Sequence, residues 1–402
     1  MNFFAKKEGC TECGFCTESV CRRGNDKDDE CFGCGACFLA CPYSAVQMVP
    51  RKTGNRISIK VDGHIFTVSE RETVRQALET LGFVFGKYPH SSNKQIFAPC
   101  DVGGCFSCAV DINGALNPSC ITPVREGIEI RTNTSSFTPM RLVHGFSGHG
   151  VGGVGTPWNL KNVSGYIEAA CFAAGCNFRC PQCQNWTTTY WGKGTPLTPG
   201  EAALLMTGTR KKTSVDRMAI SGGESTLNRP WLVQYIRELK RLNPDKNARF
   251  HVDTNGSILT SDYIDELVDV GMTDIGIDLK SLQIDTFVRI THVEDRNLAA
   301  CYMNTAWGAV KYIHDTHNSV FLGVGFPYNR ELISIEEIEQ MGEKLKTISP
   351  RIQVTVLDYR PEFRNLKIKR PGYAEMKQIH GILKDIGFKT VVCQTMFGHI
   401  GP

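Results

Sequence analysis

Cys176, Cys180 and Cys183 stand in the spacing C-x3-C-x2-C. Three thiolates so placed can hold three irons of a 4Fe–4S cluster and leave the fourth iron without a protein ligand. An open coordination position is where a metal centre takes up a substrate or cosubstrate. Further along come Ser221-Gly222-Gly223-Glu224, Asp253-Thr254-Asn255-Gly256 and Asp278-Leu279-Lys280. The paired glycines bring no side chains, so backbone carbonyls can reach a bound molecule. Asp278 and Lys280 could also be an ordinary ion pair at a strand end.

The chain has 18 cysteines in 402 residues. In a chain of this size that usage points to metal rather than disulfides. The N-terminus leaves no room for the apolar region of a signal peptide, and no stretch approaches the roughly 18 apolar residues of a membrane span. A soluble, cytoplasmic protein without a membrane partner is expected. A net charge of +4 argues against nucleic acid as a partner.

Two further cysteine groups precede the first. Cys10-x2-Cys13-x2-Cys16-x4-Cys21 is followed by Cys31-x2-Cys34-x2-Cys37-x3-Cys41-Pro42, the latter the bacterial ferredoxin run. A pair of zinc sites is the alternative, since C-x2-C also suits tetrahedral zinc; two C-x2-C-x2-C runs weigh against it. Cys100-x4-Cys105-x2-Cys108, with Cys120 following, has the plant-type 2Fe–2S spacing. Structural cysteines in a β-domain are the alternative there. Cys171, Cys301 and Cys393 read as structural. His251 reads as a packed strand residue, and His144 and His149 as solvated loop residues.

The elements that must position these groups fall into four stretches. Residues 1–50 hold the first eight cysteines, with a charged insertion at Arg22–Glu30 expected as a solvated loop. Residues 55–133 alternate in Arg56–Val61 and His64–Val68 around Asp62-Gly63, a hairpin signature. Thr73–Leu81 has helical periodicity, and strands are expected at Cys108–Ile112 and Gly127–Arg131. Residues 134–160 are a Gly-rich linker; it reads as a flexible connector, the sharper alternative being a loop ordered against a ligand. Gly148, Gly150 and Gly153 form a G-x-G-x-x-G there, but no helix opens after them, so no dinucleotide site is assigned. Residues 161–402 alternate short apolar strands with helical patterns, the signature of an α/β fold with a parallel sheet. Strands are expected at Tyr166–Ala173, Arg217–Ile220, Arg249–Val252, Asp274–Asp278, Ser319–Gly325 and Gln353–Leu357.

Residues 1–50 resemble a two-cluster ferredoxin. That resemblance assigns Cys10, Cys13, Cys16 and Cys41 to one 4Fe–4S cluster and Cys31, Cys34, Cys37 and Cys21 to another. The first run departs from the pattern in its four-residue last gap and in lacking a proline after Cys21. Residues 55–133 resemble the β-grasp 2Fe–2S ferredoxin domain, in the form fused to complex-I-type and succinate-dehydrogenase-type subunits, with Gly103 and Gly104 in the cluster loop. The C-terminal half resembles the radical SAM enzymes, in the branch of the pyruvate formate-lyase activating enzyme. The resemblance implies a partial (β/α)6 barrel with its site at the carboxyl ends of the strands. S-adenosylmethionine (SAM) would chelate the open iron held by Cys176, Cys180 and Cys183. Gly222 and Gly223, helped by Glu224, would receive its ammonium and Lys280 its carboxylate, and Asp253, Thr254 and Asp278 would hold a monovalent cation. Gln182 stands where the family has an aromatic residue over adenine, leaving Phe178 or Trp186 for that contact.

The expected cofactors are thus three 4Fe–4S clusters, one 2Fe–2S cluster and SAM. The expected chemistry is cleavage of SAM to a 5′-deoxyadenosyl radical that abstracts hydrogen from a protein or peptide residue. An external low-potential donor, ferredoxin- or flavodoxin-like, would feed the N-terminal clusters as a wire. Alternatives are a small-molecule or cofactor-precursor substrate and, in another class, an electron-transfer subunit of a larger redox complex.

Overall fold

The computed structural model describes residues 2–22, 31–51, 54–89, 95–161 and 165–402. The expected charged loop lies largely at 23–30, outside the described residues. The chain divides into two compact units, Met1–Val143 with Ala173–Asn177 and Asn185–Thr198, and His144–Phe172 with Phe178–Gln184 and Pro199–Pro402.

In the first unit, β1 (Asn2–Lys7) and β2 (Val46–Arg51) pair antiparallel, with Lys7 opposite Val46. Between them lie a single π-helical turn at Cys16–Val20 and the short helix α1 (Ala36–Ala40). Next comes a five-stranded sheet built from β3 (Arg56–Val61), β4 (His64–Ser69), β7 (Ala109–Ile112), β8 (Ala115–Pro118) and β9 (Glu129–Arg131) in the order β4-β3-β9-β7-β8. Asp62 and Gly63 both take positive φ, which turns the β3–β4 hairpin as its sequence demands. Helix α2 (Val74–Thr80) starts from a reciprocal capping box between Thr73 and Gln76. It buries Val74, Ala77 and Leu78 against Ile59, Val61, Val110 and Ile130. Strands β5 (Val84–Gly86) and β6 (Gln95–Phe97) form a separate parallel pair. Helix α3 (Trp186–Thr189) also belongs to this unit.

The second unit is built on a nine-stranded sheet in sequence order: β10 (Val143–His149), β11 (Glu168–Ala173), β12 (Arg217–Gly222), β13 (Arg249–Thr254), β14 (Asp274–Asp278), β15 (Phe321–Tyr328), β16 (Gln353–Asp358), β17 (Val391–Thr395) and β18 (Gly398–Ile400). Strands β12 to β17 run parallel, and β18 returns antiparallel as a hairpin. The six strands read from periodicity are all present, within a few residues of the expected bounds. Helices α4 (Pro199–Thr213), α5 (Arg229–Leu242), α6 (Ser261–Asp269), α7 (Ile284–Thr291), α8 (Arg296–Thr316), α9 (Ile335–Ile348) and α10 (Tyr373–Ile386) connect them. Local signals explain their ends. Asn228 and Asp295 cap α5 and α8 through side-chain oxygens, and Gly387 at φ 115° stops α10.

Residues 134–160 are not the flexible connector expected. Arg141 bridges Leu197, and 143–149 are a strand of the large sheet. The chain at 153–156 then packs against the middles of β13, β14 and β15. A Cβ on Gly155 would come within 2.5 Å of the His251 imidazole, the Gly276 nitrogen and the Ile275 carbonyl carbon. A Cβ on Gly323 would come within 2.2 Å of the Val154 carbonyl oxygen. Glycine on both sides is what lets two backbones meet this closely. Reciprocal bonds fix the segment: Trp158 N donates to Gln353 (2.8 Å), and the Gln353 amide donates to the Thr156 carbonyl (2.9 Å). Lys161 Nζ donates to the carbonyls of Gly152 (3.2 Å) and Gly153 (2.9 Å).

Gly155→Ala is therefore expected to cost about 1–3 kcal/mol or more through overpacking against backbone, visible as a lowered thermal midpoint. Gly208→Ala in α4, where an added Cβ meets nothing within 4 Å, should be neutral or stabilising by up to about 1 kcal/mol.

Candidate active site at the carboxyl ends of the strands

The sequence motifs fall where a parallel α/β sheet places its chemistry. Gly222 ends β12, Asp253-Thr254 ends β13 and Asp278 ends β14, while the cysteine loop leaves β11. Backbone bonds pin that loop in the second unit. Arg179 N donates to the Thr291 carbonyl, and the Pro181 carbonyl accepts from Arg364 N and Asn365 N.

Beside Cys180 lies a buried cation. Lys280 is 8% exposed; its ammonium donates to Asp278 Oδ2 (3.2 Å) and to the Tyr359 hydroxyl (2.9 Å). Burial alone would push the Lys280 pKa down, but Asp278, Tyr359 and Cys180 hold it well above the ordinary value. Burial raises the Cys180 thiol to about 12 against the pull of Lys280. Burial also raises Tyr359 to about 12. The sequence had not singled out Tyr359. It directly follows β16, and its position after a strand of the parallel sheet was the available signal.

The other expected SAM and cation contacts are held by protein partners as follows. Glu224 is a buried staple. Its Oε1 accepts from Thr226 N (3.0 Å), Thr226 Oγ1 (2.6 Å) and Thr254 Oγ1 (2.5 Å), and its Oε2 accepts from Asn255 N (2.7 Å). These bonds tie the turn after Gly222-Gly223 to the end of β13, so Glu224 shapes the site through the backbone. Thr254 is committed to Glu224. Asp253 Oδ1 accepts from Gly155 N (3.2 Å) and faces His251 Nε2 (3.0 Å). Of the expected cation ligands, Asp278 keeps a buried oxygen, Oδ1, without a hydrogen-bond partner. That orphaned acceptor fits a bound cation or ammonium. Phe178 is packed edge-on against Phe287 and Tyr302, with ring centroids 5.5 and 5.8 Å away. Gln182 is buried and donates to the Ile290 carbonyl (2.8 Å). Trp186 packs edge-on against Phe15 at 4.6 Å.

Beneath these groups His251 is fully buried between two carboxylates, with Nδ1 3.2 Å from Glu168 Oε2. Burial opposes its charge, yet Asp253 and Glu168 raise its pKa to about 9. Glu168 is held at about 2 despite burial, by His251, Arg217 and Lys161. Arg217 in turn donates to Asp274 (2.8 Å) and to the Gly155 carbonyl (3.1 Å). His251 is the packed residue expected from sequence, and here it positions Asp253.

In the first unit Lys7 and the thiols of Cys41, Cys10 and Cys13 lie within electrostatic reach of Cys16, those of Cys21 and Cys31 within reach of Cys34, and those of Cys34, Cys31, Cys21 and Cys16 within reach of Cys37. Cys100, Cys105, Cys108 and Cys120 are all buried. Cys100 and Cys105 have sulfurs 3.1 Å apart, and Cys120 has Cys100 and Cys108 as hydrogen-bonding neighbours. Gly103 is at φ 75° with no room for a side chain beside Ile121. Four buried, mutually facing thiols in a glycine cradle fit a 2Fe–2S centre.

The buried imidazolium generates a pH prediction. His251 has a folded pKa above its unfolded one. Its contribution to stability is complete below about 6.5 and is lost as pH rises through about 9. Thermal midpoints from pH 7 to 10 should fall across that window, and His251→Gln should lower stability at pH 7 and remove the step.

Residues 171–334 match the radical SAM superfamily, and residues 54–135 match a 2Fe-2S iron-sulfur cluster binding domain. No curated protein matches the chain. Among solved structures, SuiB of Streptococcus suis bound to precursor peptide SuiA aligns at 14% identity over 56% of this chain and 47% of that one, with TM-score 0.41. HydG, a maturase of the FeFe-hydrogenase, aligns at 15% identity over 57% and 52%, with TM-score 0.41. HemN, the coproporphyrinogen III oxidase of Escherichia coli, aligns at 15% identity over 46% and 43%, with TM-score 0.34. The chain thus spans about half the length of these solved proteins. No helix among the described residues is long and apolar enough to cross a membrane. The chain carries a radical SAM domain behind an N-terminal 2Fe–2S ferredoxin-like domain.

Proposed function

We propose that this protein cleaves SAM reductively and abstracts hydrogen from a protein or peptide residue, in the manner of the activating enzymes, with its N-terminal iron–sulfur centres passing electrons to the SAM cluster. The observation that carries this reading is the buried Lys280 ammonium beside Cys180 and Asp278. A buried cation at the strand ends is what the carboxylate of an iron-chelating amino acid would pair with through its remaining oxygen. Bound SAM, given one electron at the cluster, would supply a 5′-deoxyadenosyl radical able to take a hydrogen atom.

The chain's own groups divide the remaining work. Cys176, Cys180 and Cys183 would hold the SAM cluster. Lys280 would receive the methionine carboxylate, and Tyr359 and Asp278 hold that ammonium in place. Glu224 keeps the Gly222-Gly223 turn registered on β13. His251 and Gly155 fix Asp253. The 153–156 segment fills the middle of the sheet at β13 to β15, so a substrate meets the strand-end groups from their carboxyl side. That favours a residue presented at the mouth over a molecule enclosed deep within the sheet. In the first unit the two 4Fe–4S sets would be Cys10, Cys13, Cys16, Cys41 and Cys31, Cys34, Cys37, Cys21.

Anaerobic reconstitution with iron and sulfide, then dithionite and SAM, is expected to yield 5′-deoxyadenosine. Cys180→Ala should abolish it while the N-terminal clusters keep their visible absorption; loss of all iron in that variant would contradict the modular reading. Lys280→Ala should weaken SAM binding roughly tenfold or more, the scale of a lost charge-assisted hydrogen bond. If reduced, cluster-loaded protein leaves SAM intact, the reading fails. Transfer of deuterium to 5′-deoxyadenosine from a labelled small-molecule extract, and not from labelled protein, would move the substrate to the small-molecule class.

A further inference from the structure

The first unit contains two places where the chain around the SAM-cluster loop touches the cysteine modules, and both are made by glycine. At the first, a Cβ on Gly104 would come within 2.7 Å of Ala174 Cβ and 2.9 Å of Gly175 N. A Cβ on Gly175, itself at φ 84°, would come within 3.0 Å of Cys105 N and 3.2 Å of Cys100 Sγ. Gly175 immediately precedes Cys176, and consecutive Cα atoms are about 3.8 Å apart. Hydrogen bonds hold the contact in register: Leu142 N donates to the Gly104 carbonyl (3.1 Å), Ala174 N to the Leu142 carbonyl (3.0 Å) and Gly175 N to the Thr189 carbonyl (2.9 Å). Cys100, Cys105, Ala174 and Gly175 are all buried.

At the second, Gly192 lies between the two ferredoxin-like modules. A Cβ there would come within 2.7 Å of the Val20 carbonyl oxygen and 3.4 Å of the Val102 carbonyl oxygen. Val20 adjoins Cys21, and Val102 lies between Cys100 and Cys105. Arg22 reinforces the junction. Its Nε donates to the Gly192 carbonyl (3.2 Å), its guanidinium lies 5.9 Å from the centre of the Phe106 ring, and Cys120 is its electrostatic partner. In the same cysteine module, Cys10 and Cys13 are exposed.

We propose that Gly175 is the junction through which the Cys100/Cys105 centre serves Cys176, so that the 2Fe–2S site is the last station before the SAM cluster. The Cys21 side of the 4Fe–4S module serves the 2Fe–2S site across Gly192, and the exposed Cys10–Cys13 end receives electrons from an external low-potential one-electron donor. This order rests on the radical SAM reading above. The transfer at Gly175 moves one electron: the reduced 2Fe–2S centre is oxidised, the SAM-site cluster is reduced, and no bond or proton changes place. The competing route is the Phe15–Trp186 edge contact, which would bypass the 2Fe–2S site.

The test is electron paramagnetic resonance on the reduced, fully loaded protein. The 2Fe–2S signal is expected to relax faster, and to be broadened, by the neighbouring SAM-site cluster. In Cys180→Ala, which lacks that cluster, the 2Fe–2S signal should sharpen while the signals of the N-terminal 4Fe–4S centres stay as they were. On adding SAM to protein reduced stoichiometrically, with no excess reductant, the 2Fe–2S absorption should reoxidise in step with 5′-deoxyadenosine formation. Phe15→Leu should leave both the relaxation and that reoxidation unchanged. Gly104→Ala, if its 2Fe–2S content is intact, should slow reoxidation at least tenfold, while excess dithionite restores SAM cleavage. A 2Fe–2S signal indifferent to Cys180→Ala, or reoxidation lost in Phe15→Leu, overturns the order. A wild-type protein that makes no 5′-deoxyadenosine even with excess dithionite overturns the parent reading instead.

Discussion

One buried ammonium organises the strand ends. Placing Lys280 out of water is unfavourable unless its charge is met. It is met by Asp278 on the same strand end and by the Tyr359 hydroxyl from the end of β16, with the Cys180 loop packed within electrostatic reach. That requirement draws three separate stretches of the chain to one point. It also leaves Asp278 with one buried acceptor unspent, close over Gly325 of β15. Lower down, the same logic recurs: His251 stays protonated because Glu168 and Asp253 flank it, and Asp253 is thereby held for the strand end above.

Glycine supplies the second constraint. In the second unit, Gly155 lies against Gly276 and Gly323, so backbone replaces side chains in the middle of the sheet. In the N-terminal unit, Gly104 and Gly175 let the Cys100–Cys105 loop touch the chain beside Cys176, and Gly192 lies against the Val20 and Val102 carbonyls. In each case a methyl group would separate backbones that now meet. The consequences differ: one set closes off the middle of the sheet, and the other brings cysteine-bearing loops together.

The metal chemistry was legible because thiolate spacing is local. Cys176, Cys180 and Cys183, or Cys100, Cys105 and Cys108, carry their meaning within a few residues. The strands of the second unit were legible for a similar reason, each being a short apolar run between helical patterns. Helix α7 escaped because it is only two turns long and follows closely on Asp278-Leu279-Lys280. The 145–155 stretch was misread because glycine-rich composition looks the same in a loose tether and in a tight backbone contact. The distinguishing signal was distant: glycines at alternate positions in β15, with another in β14. Glu224 and Thr254 have the right identities, but hydrogen bonding to each other makes them a brace, and no local pattern reveals a partner 30 residues away.

The central claim is that SAM's amino and carboxylate groups occupy an iron left open by Cys176, Cys180 and Cys183. Electron–nuclear double resonance of the reduced protein, with SAM carrying nitrogen-15 in its amino group and oxygen-17 in its carboxylate, tests it directly. Hyperfine coupling of both labels to a 4Fe–4S signal that disappears in Cys180→Ala is the predicted result. Absence of coupling with SAM bound, or a cluster there with a fourth ligand from the protein, would contradict the account.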